Sequence, residues 1–415
     1  MVLPKLYLLR GQSHRHGTGD VAGAVHGALV RGRHGDIIRR GDSVALTAGS
    51  RGIRYIDTII AETVRYLKSI GARPFIVPAM GSHGGGTADG QRAILASYGI
   101  TEEAMDCEIR SSMEVVEIGR TSLGTPVYLD AHAAGADHIG VINRVKPHTK
   151  LSGDIESGLV KMCMIGLGKR EGAATYHRAI ERHSWMEIVR SVMEVVLTKS
   201  AVRFGLAIVQ DSDEEIARIE TLAPREFLDG EAALLCEARS LMGILPFNDI
   251  DLLIVDEMGK EISGTGMDTT VTGRKEGSPV RVGRVFVRDL TPETEGNAQG
   301  IGLADFTTRR LVEKIDFSRL YLNSQTAYRT DTCKIPMTFE TDREAMEVGL
   351  KMSGTGSPDD LRLVWIRNTL RLDSIAVSTA MLNQQTGDAR YTLGGGPIDI
   401  EFDPEGLLIS PFPRE

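Results

Sequence analysis

Apolar residues recur along this chain in two rhythms. Short unbroken runs at 43–47 (SVALT), 74–80 (PFIVPAM) and 138–143 (HIGVIN) read as buried strands. Between them Ile60, Val64 and Leu67 fall at helical spacing, which predicts a helix over about 57–70 that Gly71 stops. Another helix runs to about Tyr98, and a β excursion fills 107–130. Helices over 185–197 and 224–242 flank a strand at 204–210, and a short strand at 6–9 opens the chain. After Leu245-Pro246-Phe247-Asn248 the pattern restarts. It predicts strands at 251–255, 284–287, 320–323, 363–367 and 375–378, with helices near 304–315 and 342–352. Strands that alternate with helices predict an α/β fold. The expectation is two α/β domains with mostly parallel sheets, over 1–245 and 246–415, and an active-site cleft between them.

In parallel sheets ligands sit outside the carboxyl ends of the strands. Arg51, His83 and His148 each follow such an end, on three different strands. The stretch 145–177 then sets His148 and His177 around Lys161, which interrupts the apolar run 159–165. A buried lysine is rare unless it is paired or chemically employed. Taken singly, Lys161 also reads as a lysine snorkelling from a half-buried helix, and His177 as a helix-surface histidine. In Gly84-Gly85-Gly86-Thr87, Thr87 can cap the next helix, leaving amides that favour an anion. The turn equally serves simply to start that helix. No Walker A loop is present, because Lys169 is followed by Arg170 rather than Ser or Thr. Lys260 lies past the strand 251–255 in a polar, glycine-rich loop, and Arg144, Lys146 and Lys150 flank His148. Those three read as solvated loop charges or as a site for a second carboxylate.

Composition narrows the classes. The chain has 415 residues, 41% hydrophobic and 25% charged, with net charge −8, so a basic nucleic-acid footprint is absent. No apolar run approaches the roughly 18 residues that cross a membrane. Charge interrupts residues 1–10 too early for a signal peptide. The four cysteines show no CxxC spacing, which argues against a disulfide framework or a cysteine-rich metal site. The expected compartment is the cytoplasm, with no nucleic-acid or membrane partner.

In order along the chain, GSHGGGT around His83, the pair Pro147-His148, and the 16-residue step from Lys161 to His177 resemble the nickel-dependent lactate racemase family. Those enzymes use a nickel-pincer nucleotide. The resemblance implies that Lys161 carries the cofactor covalently, that His177 ligates Ni(II), and that His83 and His148 are the catalytic acid/base pair. It implies Arg51 at the substrate carboxylate, with Ser50, Gly84, Gly85 and Thr87 beside the cofactor and Lys260 as a second substrate contact. The family's Asp-x-Thr-Arg reads Ala48-Gly49-Ser50-Arg51 here, and its Tyr-Gln-x-x-Lys element is replaced by MGKEISGTGMD from Met258. This is the pattern of a divergent member. The implied activity is racemisation or epimerisation of a small 2-hydroxy acid by reversible hydride transfer from Cα, with cofactor-maturation enzymes as partners. Two other classes use the same residues: a zinc hydrolase built on His83, His148 and His177, and a non-catalytic sugar-acid or nucleotide-binding protein.

Overall fold

The computed structural model describes residues 2–11, 17–50, 52–149, 151–326, 329–384 and 390–412. Strand β1 (Leu6–Gly11) does not join the strands that follow it in sequence. The chain divides into one unit of residues 15–242 and another of 1–14 with 243–415, and β1 belongs to the second. The sequence expectation of a domain over 1–245 is corrected on this point. Leu6 and Leu9 are buried in the sheet of the later unit, a pairing that local pattern cannot reveal.

The unit 15–242 holds β2 (Ser43–Ala48), β3 (Arg73–Pro78), β4 (Val115–Arg120), β5 (Pro126–Asp130), β6 (His138–Arg144), β7 (Val202–Gln210) and β8 (Ile216–Leu222). Its main sheet runs β3-β2-β6-β7-β8, with the first four strands parallel and β8 antiparallel. β4 and β5 pair separately as an antiparallel hairpin. Both faces of the sheet are covered, which is why β2 is almost uniformly apolar. Val44 and Leu46 join the core that holds Ile59, Ile60, Val64 and Leu67 of helix Ile56–Ser69. Ala45 faces the opposite core, with Ile188, Val189 and Val192 of helix Trp185–Lys199. Ser184 starts that second helix through a reciprocal capping box with Glu187.

The unit of 1–14 and 243–415 adds β9 (Asp249–Met258), β10 (Arg281–Leu290), β11 (Phe306–Thr308), β12 (Met337–Phe339), β13 (Leu363–Ile366), β14 (Ser374–Ser378) and β15 (Tyr391–Ile398). The sheet order is β12-β11-β10-β9-β13-β14-β1-β15, parallel from β12 to β13 and antiparallel beyond. The fold is therefore α/β with mostly parallel sheets. One expected strand is wrong: 320–323 lies inside helix Phe317–Thr326. An apolar run of three residues, Leu320 to Leu322, is too short for periodicity to tell strand from helix. The expected helix 304–315 is β11 followed by the short helix Arg309–Glu313, which Thr308 caps.

Among the described residues no helix is long and apolar enough to cross a membrane.

Candidate functional site

β3, β2 and β6 are neighbours and parallel, so the loops after them leave the same edge of one sheet. After β2, Gly49 packs against the Lys161 turn: a Cβ there would lie 3.1 Å from Met162 Cε. The Tyr98 hydroxyl donates to the Ser50 carbonyl at 2.8 Å and pins this loop from helix Ala88–Ser97's end. The Ser50 hydroxyl in turn is hydrogen-bonded to His83 Nδ1. Ser50, expected beside a cofactor, is thus a partner of the His83 ring. Arg51 lies outside the described residues, as does Lys150.

After β3 the chain runs to His83 and then through Gly84, Gly85 and Gly86, whose φ values are 67°, 66° and 64°. Three successive left-handed residues suit only glycine. At Gly84 a side chain would also collide with the backbone of Gly90 and Gln91, at 2.6 and 2.7 Å, so the turn closes directly on the next helix. Thr87 is the N-cap of that helix: its hydroxyl accepts from Gly90 N–H and donates to the Gly84 carbonyl, both at 3.1 Å. Its hydroxyl is therefore engaged in capping, while Gly85 faces open space.

Lys161 ends the short helix Leu159–Lys161 and leads into a π-helical turn, Met162–Gly166. The Leu167 N–H reaches back five residues to the Met162 carbonyl at 2.9 Å. Such turns recur at functional positions. The turn's entrance is shaped by Glu231, which is 0% exposed and accepts from Val160 N–H at 3.0 Å. A Cβ at Gly158 would lie 2.5 Å from the Glu231 carboxyl carbon, so that position has to stay glycine. Burial pushes the Glu231 carboxyl up to about 7, against the opposing pull of the Val160 and Leu159 amides. Cys163 is fully buried in the same turn, and burial pushes its thiol well up, which leaves it unsuited to thiolate ligation.

The turn and the His83 loop touch directly. Gly81 N–H donates to the Gly166 carbonyl at 3.4 Å, and a Cβ on Gly81 would meet Ile165 and Ala173. Ala173 belongs to helix Lys169–Ala179, whose last turn carries His177. His83, the Lys161 turn and the His177 helix are thus parts of one packed neighbourhood. Lys161 itself is only half-buried. The buried lysine that sequence reasoning placed at 161 is Lys169, 0% exposed and paired with Asp130, also 0% exposed, at 3.0 Å. Nothing in the sequence marked it beyond a failed phosphate-loop comparison.

His148 follows β6. Its ring Nδ1 accepts from Leu151 N–H at 3.1 Å, and an accepting Nδ1 puts the ring proton of the neutral imidazole on Nε2. Its backbone N–H donates to Glu156 at 2.7 Å, and the other Glu156 oxygen meets Arg239 at 2.9 Å. Arg144, a flanking cation in the sequence, binds Gln210 at 2.5 Å. It also lies 3.7 Å from Glu214, so it serves the scaffold. The β6 end is tied to the Lys161 turn by Asn143, whose side chain donates to the Gly158 carbonyl at 2.8 Å. Among the described residues no three His, Cys, Asp or Glu side chains converge as metal ligands. His83, His148 and His177 accordingly do not form a three-histidine zinc site. Lys260, in the other unit, donates to the Gly264 carbonyl at 2.5 Å and to Asn323 at 3.4 Å.

The loop of His83, the turn that Lys161 enters and the helix of His177 thus meet at the carboxyl edge of one parallel sheet. Residues 43–187 match the family described as lactate racemase N-terminal domain. The likeness covers that stretch, about a third of the chain. No curated protein matches the sequence. Among solved structures, the lactate racemase apoprotein from Thermoanaerobacterium thermosaccharolyticum superposes with a TM-score of 0.55 at 14% identity, over 85% of this chain and 92% of that one. At that identity the likeness bears on the fold alone.

Proposed function

We propose that this protein is a racemase or epimerase of a small 2-hydroxy acid, with His83 and His148 as its acid/base pair. The match of residues 43–187 to the lactate racemase N-terminal domain supports a racemase-type, isomerase activity. The observation that carries the finer reading is the Ser50–His83 hydrogen bond, made on a loop seated against the turn that Lys161 enters.

The residues suit the family's nickel-pincer nucleotide. A metal held largely by its own organic ligand needs few protein donors, and one imidazole suits square-planar nickel. His177 would supply that imidazole and Lys161 an amine for covalent attachment. Gly85 would let the backbone approach a bulky nucleotide, since the space beside it is open, whereas Gly84 is closed against the next helix and serves to shape the turn. When bound, the group would supply the acceptor for the Cα hydride.

The chain's own residues handle the proton. In the tautomer that donates Nδ1–H to Ser50, His83 carries its unprotonated nitrogen at Nε2, which would take the proton of the substrate hydroxyl. His148, with its ring proton on Nε2, would serve the other face of the substrate. To return a proton it must become imidazolium, which requires Leu151 N–H to leave Nδ1. The Leu151 N–H and His148 Nδ1 would therefore part and rejoin in each turnover. Arg51, outside the described residues, is assigned the substrate carboxylate, since an arginine can hold one bidentately. Maturation enzymes would install the cofactor.

The reading is tested with cofactor-loaded protein and single enantiomers of lactate, malate, hydroxyglutarate and sugar acids, scored by chiral chromatography. Inversion of at least one acid supports it. No inversion of any, by protein whose mass carries the Lys161 adduct, removes it.

A further inference from the structure

Lys169 has no part in the chemistry above, yet it occupies an expensive position. It opens helix Lys169–Ala179 with a left-handed φ of 53°, a conformation that strains a non-glycine residue. Its side chain is fully buried. Burial presses the ammonium below the ordinary lysine range, while the Asp130 carboxylate opposes that. A buried ion pair is weak evidence for stability, because desolvation offsets the attraction. The geometry gives the pair another task.

The ammonium meets Asp130 at the end of β5, the Pro78 carbonyl at the end of β3, and Gln91 Oε1 at 3.3 Å. Gln91 is itself 0% exposed. Its amide nitrogen donates to the Gly81 carbonyl at 2.9 Å and to the His83 carbonyl at 3.3 Å. An ammonium can only donate, so it forces the Gln91 oxygen to face it. The amide nitrogen is then left to face the two loop carbonyls. In the flipped amide, oxygen would oppose both carbonyls, and nitrogen would oppose the ammonium.

We propose that Lys169, paired with Asp130, is a positioning residue that fixes the Gln91 amide and through it the backbone of the loop carrying His83. The inference rests on the reading of His83 as an acid/base group. It adds a physical link between the helix that bears His177 and the loop that bears His83. Lys169 touches neither substrate nor cofactor in this role.

The experiment is NMR of the full-length protein with 13Cε1-labelled histidine, the His83 signal being assigned from its loss in His83→Ala. Two variants are compared with the parent: Gln91→Met, which leaves the ion pair intact, and the uncharged pair Lys169→Met/Asp130→Asn. In both, the His83 signal and its titration midpoint should move while the His34 signal stays. In loaded enzyme kcat should fall about 10- to 100-fold with KM nearly unchanged, as expected for a misplaced catalytic group. A merely structural role would lower the melting temperature of folded variants and leave the His83 titration untouched, which would overturn the proposal. Movement in Gln91→Met but not in a folded double variant would also overturn it. If the double variant does not fold, Gln91→Met decides by the same criterion. The NMR comparison needs no turnover, so a parent without racemase activity would count against the proposed function and not against this positioning role.

Discussion

Ser50 and His83 are hydrogen-bonded side chain to side chain, across loops that follow two adjacent parallel strands. The bond sets which ring nitrogen of His83 faces outward. Ser50→Ala should therefore leave His83 present but poorly oriented. Turnover is expected to fall, but by less than the about 10²–10⁴-fold that accompanies removal of a general base in His83→Ala. Ser50→Thr should restore most of the rate. Steady-state kinetics on the three variants checks the ranking, and a Ser50→Ala rate equal to the parent's would remove the bond from the account.

The His148 loop is held from behind by a second charge pair. Glu156 is 1% exposed and accepts from both His148 N–H and Arg239. Arg239→Ala leaves a buried carboxylate with a lost partner, an imbalance that costs about 1–3 kcal/mol. Glu156→Gln keeps an acceptor for the His148 amide and should cost less. Urea unfolding midpoints of the two variants give the comparison.

How much of this was legible in the sequence follows from the range of each interaction. The β2, β3 and β6 runs, the helix stop at Gly71 and the Thr87 cap are local, and local spacing finds them. The placement of His83 and His148 at strand ends follows from the same pattern. Lys169 was invisible because its meaning lies in Asp130 and Gln91, distant in sequence. Ser50's role was missed for the same reason: a serine acquires its function from the ring it meets. β1 was assigned to the wrong unit because pairing with β14 and β15 spans nearly the whole chain.

Glu231 makes the Lys161 turn sensitive to pH. Its folded carboxyl titrates near 7, above the ordinary value of 4.5. Between these limits the folded state holds a proton that the unfolded state has released, so stability present below pH 4.5 is lost as pH rises through 7. The loss is on the order of 3 kcal/mol. Glu231→Gln should abolish it, raising stability at pH 8 relative to the parent while leaving a smaller difference at pH 4.5. Chemical denaturation across that window measures the change.

His34 acts with the opposite sign. It is stacked on Phe204 at 4.5 Å, and burial lowers its pKa from 6.5 to about 4. Between those values the unfolded state binds the extra proton, so stability is lost as pH falls from 6.5 through 4. The two groups oppose one another over nearly the same interval, and the parent should look flat there. His34→Gln should reveal the downward slope with rising pH that Glu231 causes. The double variant with Glu231→Gln should be flat again. The same denaturation series tests both signs.

The central claim is that His83 and His148 serve a racemisation in which the Cα hydrogen never exchanges with water. Its most direct test is a single enantiomer of an accepted 2-hydroxy acid, deuterated at Cα and incubated with loaded enzyme in ordinary water. Chirality and isotope are then read in the same product by chiral chromatography and mass spectrometry. The account expects the opposite enantiomer to accumulate with its Cα deuterium retained, and to disappear in His83→Ala and in His148→Ala. Inversion with loss of deuterium to solvent would mean proton abstraction at Cα instead of hydride transfer, and would contradict it.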